Sequence, residues 1–210
     1  EELDCYLEPV WEGEQELVSV HRENAAGERK LIAKGFEREA SMSVDVQGET
    51  IRWTERRLVI RSLRQARAAE TRLRKKLEEA VSALEALNER GRGKKRYRSL
   101  AELRQAAEAL VKEHGVEGLL QLGFSVTFHR RQVRHYGDRP TRTEVEKDPR
   151  LVVRVNEIAV EGVLRRKGWR VYVTNAPTME LSLSEAVLAY RNQYIVERGC
   201  GRLKGHPLSL

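Results

Sequence analysis

The chain has 210 residues and a formal net charge of +7, with 39 Lys and Arg against 32 Asp and Glu. Arg supplies 29 of the 39 basic residues. Because a guanidinium pairs with phosphate oxygens through a planar fork of donors, this balance favours a polyanionic partner; a coding bias toward Arg is the alternative. No apolar run approaches the ~18 residues of a membrane span. Cys5 and Cys200 stand far apart without a CxxC spacing, which predicts neither a disulfide framework nor a zinc site and favours a reducing cytoplasm.

The first part of the chain, residues 1–61, is predicted to form short strands and turns. The best strand is "GETIRWTERRLVIRS", in which Ile51, Trp53 and the run "LVI" favour β-structure. Trp53 is also a candidate for stacking on a displaced base. Trp169 alternates with valines later in the chain and is predicted to be buried.

A long helix is predicted over 62–90, with Ser62 as a suitable N-cap and Gly91 just beyond its end. Its apolar residues recur mostly at spacings of three and four and form a narrow seam. They are Leu63, Ala66, Leu73, Leu77, Ala80, Leu84 and Leu87. The remaining surface is charged, so the seam either packs on another part of the chain or pairs with a second helix.

The segment "GRGKKRYR" (91–98) is a basic linker punctuated by glycine. Lys94, Lys95 and Arg96 are predicted to contact phosphates, and Tyr97 to stack on a base. A solvated loop between two helices is the alternative.

A second helix is predicted over 99–114. Ser99 and Glu102 have the spacing of a capping box at its start, and Gly115 follows its last turn.

The chain beyond this helix is predicted to return to strands. A strand near 123–136 carries His129 and His135, which lack acidic or thiol neighbours, so no metal site is predicted there. Residues 151–177 are predicted to form two or three further strands, the last ending after Thr174.

The last predicted helix opens with a second capping box, formed by Ser182 and Glu185. At ~100° per residue, Tyr190, Glu197 and Lys204 share one narrow face of an unbroken helix. A carboxylate flanked by a phenol and a cation suits phosphodiester chemistry, because the carboxylate can hold a divalent metal while the other two groups contact the strand. An ordinary amphipathic helix shows the same residue types, which is the alternative.

The tail "YRNQYIVERGCGRLKG" resembles the final motif of bacterial insertion-sequence DDE transposases. That signature reads Tyr, two residues, Arg, three residues, Glu, six residues, Lys. Tyr190, Glu197 and Lys204 fall in register. The signature Arg is replaced by Gln193, and Arg191 stands two residues too early.

The segment before the tail, "GWRVYVTN", resembles the strand that leads to the Glu helix in this family. The resemblance implies an α+β fold with a partial ribonuclease-H-like core at the C-terminal end. It implies that residues 1–150 form an insertion region of strands and helices, and that residues 151–210 form the last strands and the Glu-bearing helix of the core. It also implies a bacterial, nucleoid-associated protein of the cytoplasm, away from membranes, with transposon ends and target DNA as partners and a homodimer as the full-length enzyme.

By the same resemblance, Glu197 is catalytic and a ligand of Mg²⁺, while Tyr190, Arg191 and Lys204 bind DNA. The family chemistry also needs two Asp residues, each at the end of an early apolar strand. The aspartates of this chain are Asp4, Asp45, Asp138 and Asp148. None stands in that context, so the sequence alone lacks two of the three carboxylates that would hold Mg²⁺.

We therefore expect a transposase fragment that is inactive by itself, with both catalytic Asp residues upstream of Glu1. The only methionines, Met42 and Met179, are internal, which agrees with that expectation. The alternative is a non-catalytic adaptor protein, in which the 62–90 helix forms a coiled coil and the basic loops hold nucleic acid.

Overall fold

The computed structural model describes residues 3–133 and 142–193. This part of the chain contains five helices and two antiparallel sheets, so the predicted α+β class is confirmed. The chain divides into two compact units: unit 1 comprises the residues up to Ala68 together with those from Lys167 onward, and unit 2 runs from Ala69 to Arg166.

Unit 1 is built on a four-stranded antiparallel sheet with the order β1-β2-β3-β6. Its strands are β1 (Val18–Glu23), β2 (Arg29–Val46), β3 (Glu49–Ser62) and β6 (Trp169–Thr174). The predicted strand at "GETIRWTERRLVIRS" is confirmed as β3, although β2 and β3 are longer than the short strands that we expected.

Each face of this sheet is covered by a helix. Neighbouring residues of β3 point to opposite faces, so Val59 packs with Leu7 of helix α1 (Asp4–Trp11). Leu58 packs instead with Leu183 and Val187 of helix α5 (183–193). The prediction of strands and turns alone over residues 1–61 was wrong at α1, because Pro9 and the acidic start concealed a helical spacing of apolar residues.

The β2–β3 hairpin extends beyond its neighbouring strands. Gln47 and Gly48 form its two-residue turn with φ of 54° and 90°, the left-handed conformation that a tight hairpin turn of this kind requires. Since β1 pairs with β2 only as far as Gly35, and β6 with β3 only as far as Arg56, the tip is a two-stranded ribbon.

Unit 2 packs the later part of helix α2 against a hairpin and two further helices. The elements are α2 (Leu63–Ala86), α3 (Leu100–His114), β4 (Leu120–Val133), β5 (Arg142–Val155) and α4 (Glu157–Arg165). Leu77 and Ala80 pack with Val160, and Leu84 packs with Leu103. This part of the predicted apolar seam is therefore buried within the unit.

The long helix is shorter than predicted, because it ends at Ala86 instead of residue 90. The reason is Asn88, whose Nδ2 donates to the Leu151 carbonyl at 2.7 Å and whose Oδ1 accepts from the Leu151 amide at 2.9 Å. These two hydrogen bonds hold residue 88 against β5, in a position that a continued α-helix would not reach.

The prediction of strands throughout 151–177 was wrong over residues 157–165, which form α4. Asn156 caps this helix by accepting from the Ala159 amide at 3.3 Å. Val160 and Val163 belong to the core of unit 2. Here the demand for burial at a helical spacing outweighs the β-propensity of valine.

The predicted helix over 99–114 is confirmed as α3. Ser99 Oγ accepts from the Glu102 amide at 3.2 Å, and Gly115 ends the helix with φ of 58°. Glu102 departs from the reciprocal capping box, because its carboxylate accepts from the Arg98 amide.

The boundaries of units 1 and 2 differ from the predicted domain boundary at residue 150. The predicted boundary falls within β5, and it separates β3 from β6, which pair with each other from Arg56–Thr174 to Arg61–Trp169. The division into an insertion region and a catalytic core stays a prediction.

Candidate functional site

The segment that carries the resemblance begins as a strand, a loop and a capped helix in unit 1. β6 ends at Thr174, whose Oγ1 accepts from the Ala176 amide at 3.1 Å. The predicted capping box is confirmed: Ser182 Oγ accepts from the Glu185 amide, and the Glu185 carboxylate accepts from the Ser182 amide at 2.9 Å. Hydrogen bonds from the hydroxyl and amide of Ser182 lower the pKa of the Glu185 carboxyl.

A buried arginine holds the loop between β6 and α5. Arg56 Nη1 donates to the carbonyls of Ala176 at 2.6 Å and Leu181 at 2.9 Å, while Nη2 donates to Glu37 Oε2 at 2.5 Å. The residue is only 5% exposed, and the sequence analysis missed it. The available signal was alternation, because Arg56 lies on the same face of β3 as the buried Leu58.

Four arginines line one pocket of about 400 Å³ in unit 1, beside residues 187–191 of α5. Each comes from a different element. They are Arg22 of β1, Arg64 of α2, Arg170 of β6 and Arg191 of α5. Tyr172 and Tyr190 also line it, and among the residues that the structure describes its lining includes no Asp or Glu.

Tyr190 and Arg191, the two predicted DNA-binding residues of the tail that the structure describes, differ in their surroundings. The Tyr190 ring stacks on the ring of Tyr172 with centroids 4.2 Å apart, and Tyr190 is 42% exposed. Arg191 Nη2 donates to the Ile32 carbonyl at 3.0 Å and to Ser62 Oγ at 3.1 Å. Arg191 is therefore anchored to the sheet, whereas Tyr190 faces outward beside the pocket.

Burial is the main cause that lowers the pKa of the Arg191 guanidinium. Tyr172 raises this pKa, and the neighbouring charges of Arg22 and Arg64 lower it further. The guanidinium nevertheless stays charged at neutral pH, so these arginines repel one another across the pocket.

Glu197 and Lys204 lie outside the described residues, so their predicted position on one face with Tyr190 stays a prediction. Over residues 3–133 and 142–193, no three His, Cys, Asp or Glu side chains form a group that could hold a metal ion. His129 lies 3.7 Å from Asp148, measured from Nε2 to Oδ2, and His135 falls in the gap.

Two of the five cations in the basic loop of unit 2 lie beside carboxylates. Lys94 Nζ lies 2.8 Å from Glu89 Oε2, and Arg96 pairs with Glu146. Lys95 Nζ lies 5.2 Å from the centroid of the Tyr97 ring. The ring is half-buried against the Leu84 cluster, so the predicted base-stacking residue serves partly as core.

Asp148 lies at the edge of a pocket of about 320 Å³ that this loop lines. Its side chain is 7% exposed, pairs with Arg90, and accepts from Arg150 Nε at 3.1 Å. Burial alone raises the pKa of the Asp148 carboxyl, but the hydrogen bond from Arg90 and the charges of Arg150 and Arg90 outweigh it, so the pKa lies below its usual value. Asp148 therefore neutralises arginines of unit 2.

Trp53 lies on the projecting part of the hairpin, opposite Met42. It is 39% exposed, and its Nε1 donates to Glu55 Oε1 at 2.9 Å. The ring is thus partly accessible, as base stacking requires. Trp169 is buried, as predicted.

Comparison of the chain with protein-family models, curated proteins and solved structures finds no match. The resemblance to transposases consequently stays a prediction from the motif. Among the described helices, none combines the length and the apolar character that a membrane span needs.

Proposed function

We propose that this chain is part of a bacterial DDE transposase, which cleaves and joins DNA at the ends of an insertion sequence. The observation that carries the proposal is the order of features at the C-terminal end. A strand ends at Thr174 and is followed by Asn175, a loop and a capped helix with an exposed Tyr190, and Glu197 and Lys204 then stand at the family spacing. The ribonuclease-H-like core and the homodimer belong to the same proposal.

The proposed division of work among residues follows from chemistry. Glu197 is the catalytic carboxylate, and Tyr190 and Lys204 position the DNA strand. Arg191 is anchored to Ile32 and Ser62, which favours a role in fixing α5 beside the pocket. Its exposed neighbour Tyr190 is the better candidate for direct contact with the strand.

The chain supplies one of the three carboxylates that would hold Mg²⁺ in this family, and the described residues add no metal-binding group. When bound by all three, the metal would activate the attacking hydroxyl and stabilise the leaving oxygen. One carboxylate does not meet that requirement, so the described residues and Glu197 together lack the ligands that cleavage would need. We expect no nicking of DNA by the isolated chain with Mg²⁺ or Mn²⁺.

The adaptor protein with a dimeric coiled coil is less well supported. Its interface would need the seam of α2 to be exposed, yet Leu77, Ala80 and Leu84 are buried inside unit 2. These residues of the seam are therefore not accessible to a second helix.

The test uses a full-length enzyme in which the upstream reading frame supplies two Asp residues at strand ends. Glu197→Gln should abolish cleavage of transposon ends, because an amide carries no charge with which to hold the metal, and should change DNA affinity less than about threefold. Glu185→Gln, at the start of α5, is the matched control, since Gln also serves in a capping box, and it should cleave normally. A Glu197→Gln enzyme that cleaves like the parent would refute the assignment.

A further inference from the structure

The arginine pocket of unit 1 has the character of a ligand site. Arg22, Arg64 and Arg170 line it together with Arg191. None of these four takes part in an ion pair among the residues that the structure describes. Four cations that share one concavity, with no Asp or Glu among its described lining residues, leave positive charge for a ligand to neutralise.

The pocket is also held in a fixed shape. Arg191 is anchored through Nη2 to the Ile32 carbonyl and Ser62 Oγ, and Ile60 and Val187 of the sheet–helix core form part of the lining. The stacked rings of Tyr172 and Tyr190 form one side. Arg191 and these walls therefore need little rearrangement when an anion enters, which lowers the cost of shaping the site.

The chemistry of these donors selects the ligand. A guanidinium presents two parallel N–H donors that match the oxygens of phosphate, and several guanidinium groups favour a ligand with more than one negative charge. We propose that this pocket binds phosphate groups, with Arg22, Arg64 and Arg170 as the principal contacts and Arg191 as the residue that shapes the site. The source is either the phosphodiester backbone of a nucleic-acid strand or a free phosphate compound, and the inference does not depend on the transposase assignment.

The experiment uses the full chain and inorganic pyrophosphate as the probe. Thermal unfolding is measured with pyrophosphate and with sodium chloride at equal ionic strength, because a ligand that binds only the folded state raises its midpoint. We expect the chain to gain stability with pyrophosphate beyond the effect of chloride. The combined substitution of Arg22, Arg64 and Arg170 to Gln should remove this gain. The combined substitution of Lys94, Lys95 and Arg96 to Gln removes the same charge from unit 2 and should keep it.

Single variants keep the test decisive if the triple variant does not fold. Arg64→Gln and Arg170→Gln should each weaken pyrophosphate binding about tenfold, and Arg64→Lys should recover part of the loss because it restores the charge without the fork. Equal effects of pyrophosphate and chloride on the unsubstituted chain, or undiminished pyrophosphate binding in both single Gln variants, would overturn the proposal.

A competition arm distinguishes the two sources of phosphate. If the site holds a nucleic-acid strand, pyrophosphate should displace a fluorescent duplex from the chain, and the pocket variants should bind that duplex more weakly. If the site holds a free phosphate compound, the same variants should lose pyrophosphate binding while their affinity for the duplex stays unchanged. Either outcome supports a phosphate site, and failure of DNA cleavage by the full-length enzyme would leave it standing.

Discussion

Unit 1 buries a cation, Arg56, whereas unit 2 buries an anion, Asp148. In unit 1, Arg56 donates hydrogen bonds to Glu37 and to two backbone carbonyls, and the described lining of the arginine pocket includes no Asp or Glu. In unit 2, Asp148 draws Arg90 and Arg150 toward itself. The positive charge available to a ligand therefore depends on which cations the fold places beside carboxylates, and not on how basic a stretch of sequence is.

The largest effect that we predict concerns the buried cation of unit 1. Arg56→Ala should lower the free energy of unfolding by about 3 kcal/mol, because it leaves Glu37 and the carbonyls of Ala176 and Leu181 without their donor. Arg170→Ala, an exposed arginine of the same sheet, should change it by less than about 0.5 kcal/mol. Urea unfolding followed by circular dichroism measures both. Equal stability of the two variants would show that Arg56 does not hold the loop.

The buried anion of unit 2 gives a smaller effect that depends on pH. Asp148→Asn should cost about 2 kcal/mol at pH 7, since Arg90 and Arg150 are half-exposed and water partly replaces the lost partner. The folded pKa of Asp148 lies below its usual value, so its contribution is present above about pH 4 and is lost as the pH falls through the folded pKa.

The difference in stability between the parent chain and Asp148→Asn should therefore shrink between pH 7 and pH 3. Asp45→Asn, which alters an exposed carboxylate near the hairpin turn, serves as the control with a small effect throughout. A difference for Asp148→Asn that grows toward low pH would contradict the assigned ion pairs.

The smallest effect tests whether carboxylates mask the basic loop. Glu89→Gln combined with Glu146→Gln should release Lys94 and Arg96 and raise affinity for duplex DNA by about threefold, because exposed pairs are worth little individually. The combination of Glu113→Gln and Glu117→Gln makes the same change in net charge and frees no cation of the loop, so it should raise affinity less. Fluorescence anisotropy at fixed salt compares the two pairs, and equal gains would indicate an effect of net charge alone.

Local patterns predicted the elements whose causes are local. Neighbouring residues were enough to predict the strand β3, the capping residues Ser99 and Ser182, and the helix end at Gly115. Helix α4 was not predicted, because the β-propensity of its valines favoured a strand. Their burial in the core of unit 2 requires a helical spacing.

The features of the site that sequence reasoning missed are long-range. Arg56 contacts residues more than 100 positions away, and Arg96 meets Glu146 across 50 residues. The basic run 91–98 was easy to recognise, but its ion pairs were not. The arginines of the pocket were hidden for the opposite reason, since they come from four separate elements and form no run.

The most direct test of the account compares how salt weakens DNA binding in two variants of equal charge. Each lost phosphate contact reduces the slope of log affinity against log salt by about 0.9. We predict that changing Arg22, Arg64 and Arg170 to Gln reduces the slope by about 2 to 3, whereas changing Lys94, Lys95 and Arg96 to Gln reduces it by less than about 1. A larger reduction in the loop variant than in the pocket variant would contradict the claim that the free positive charge lies in unit 1.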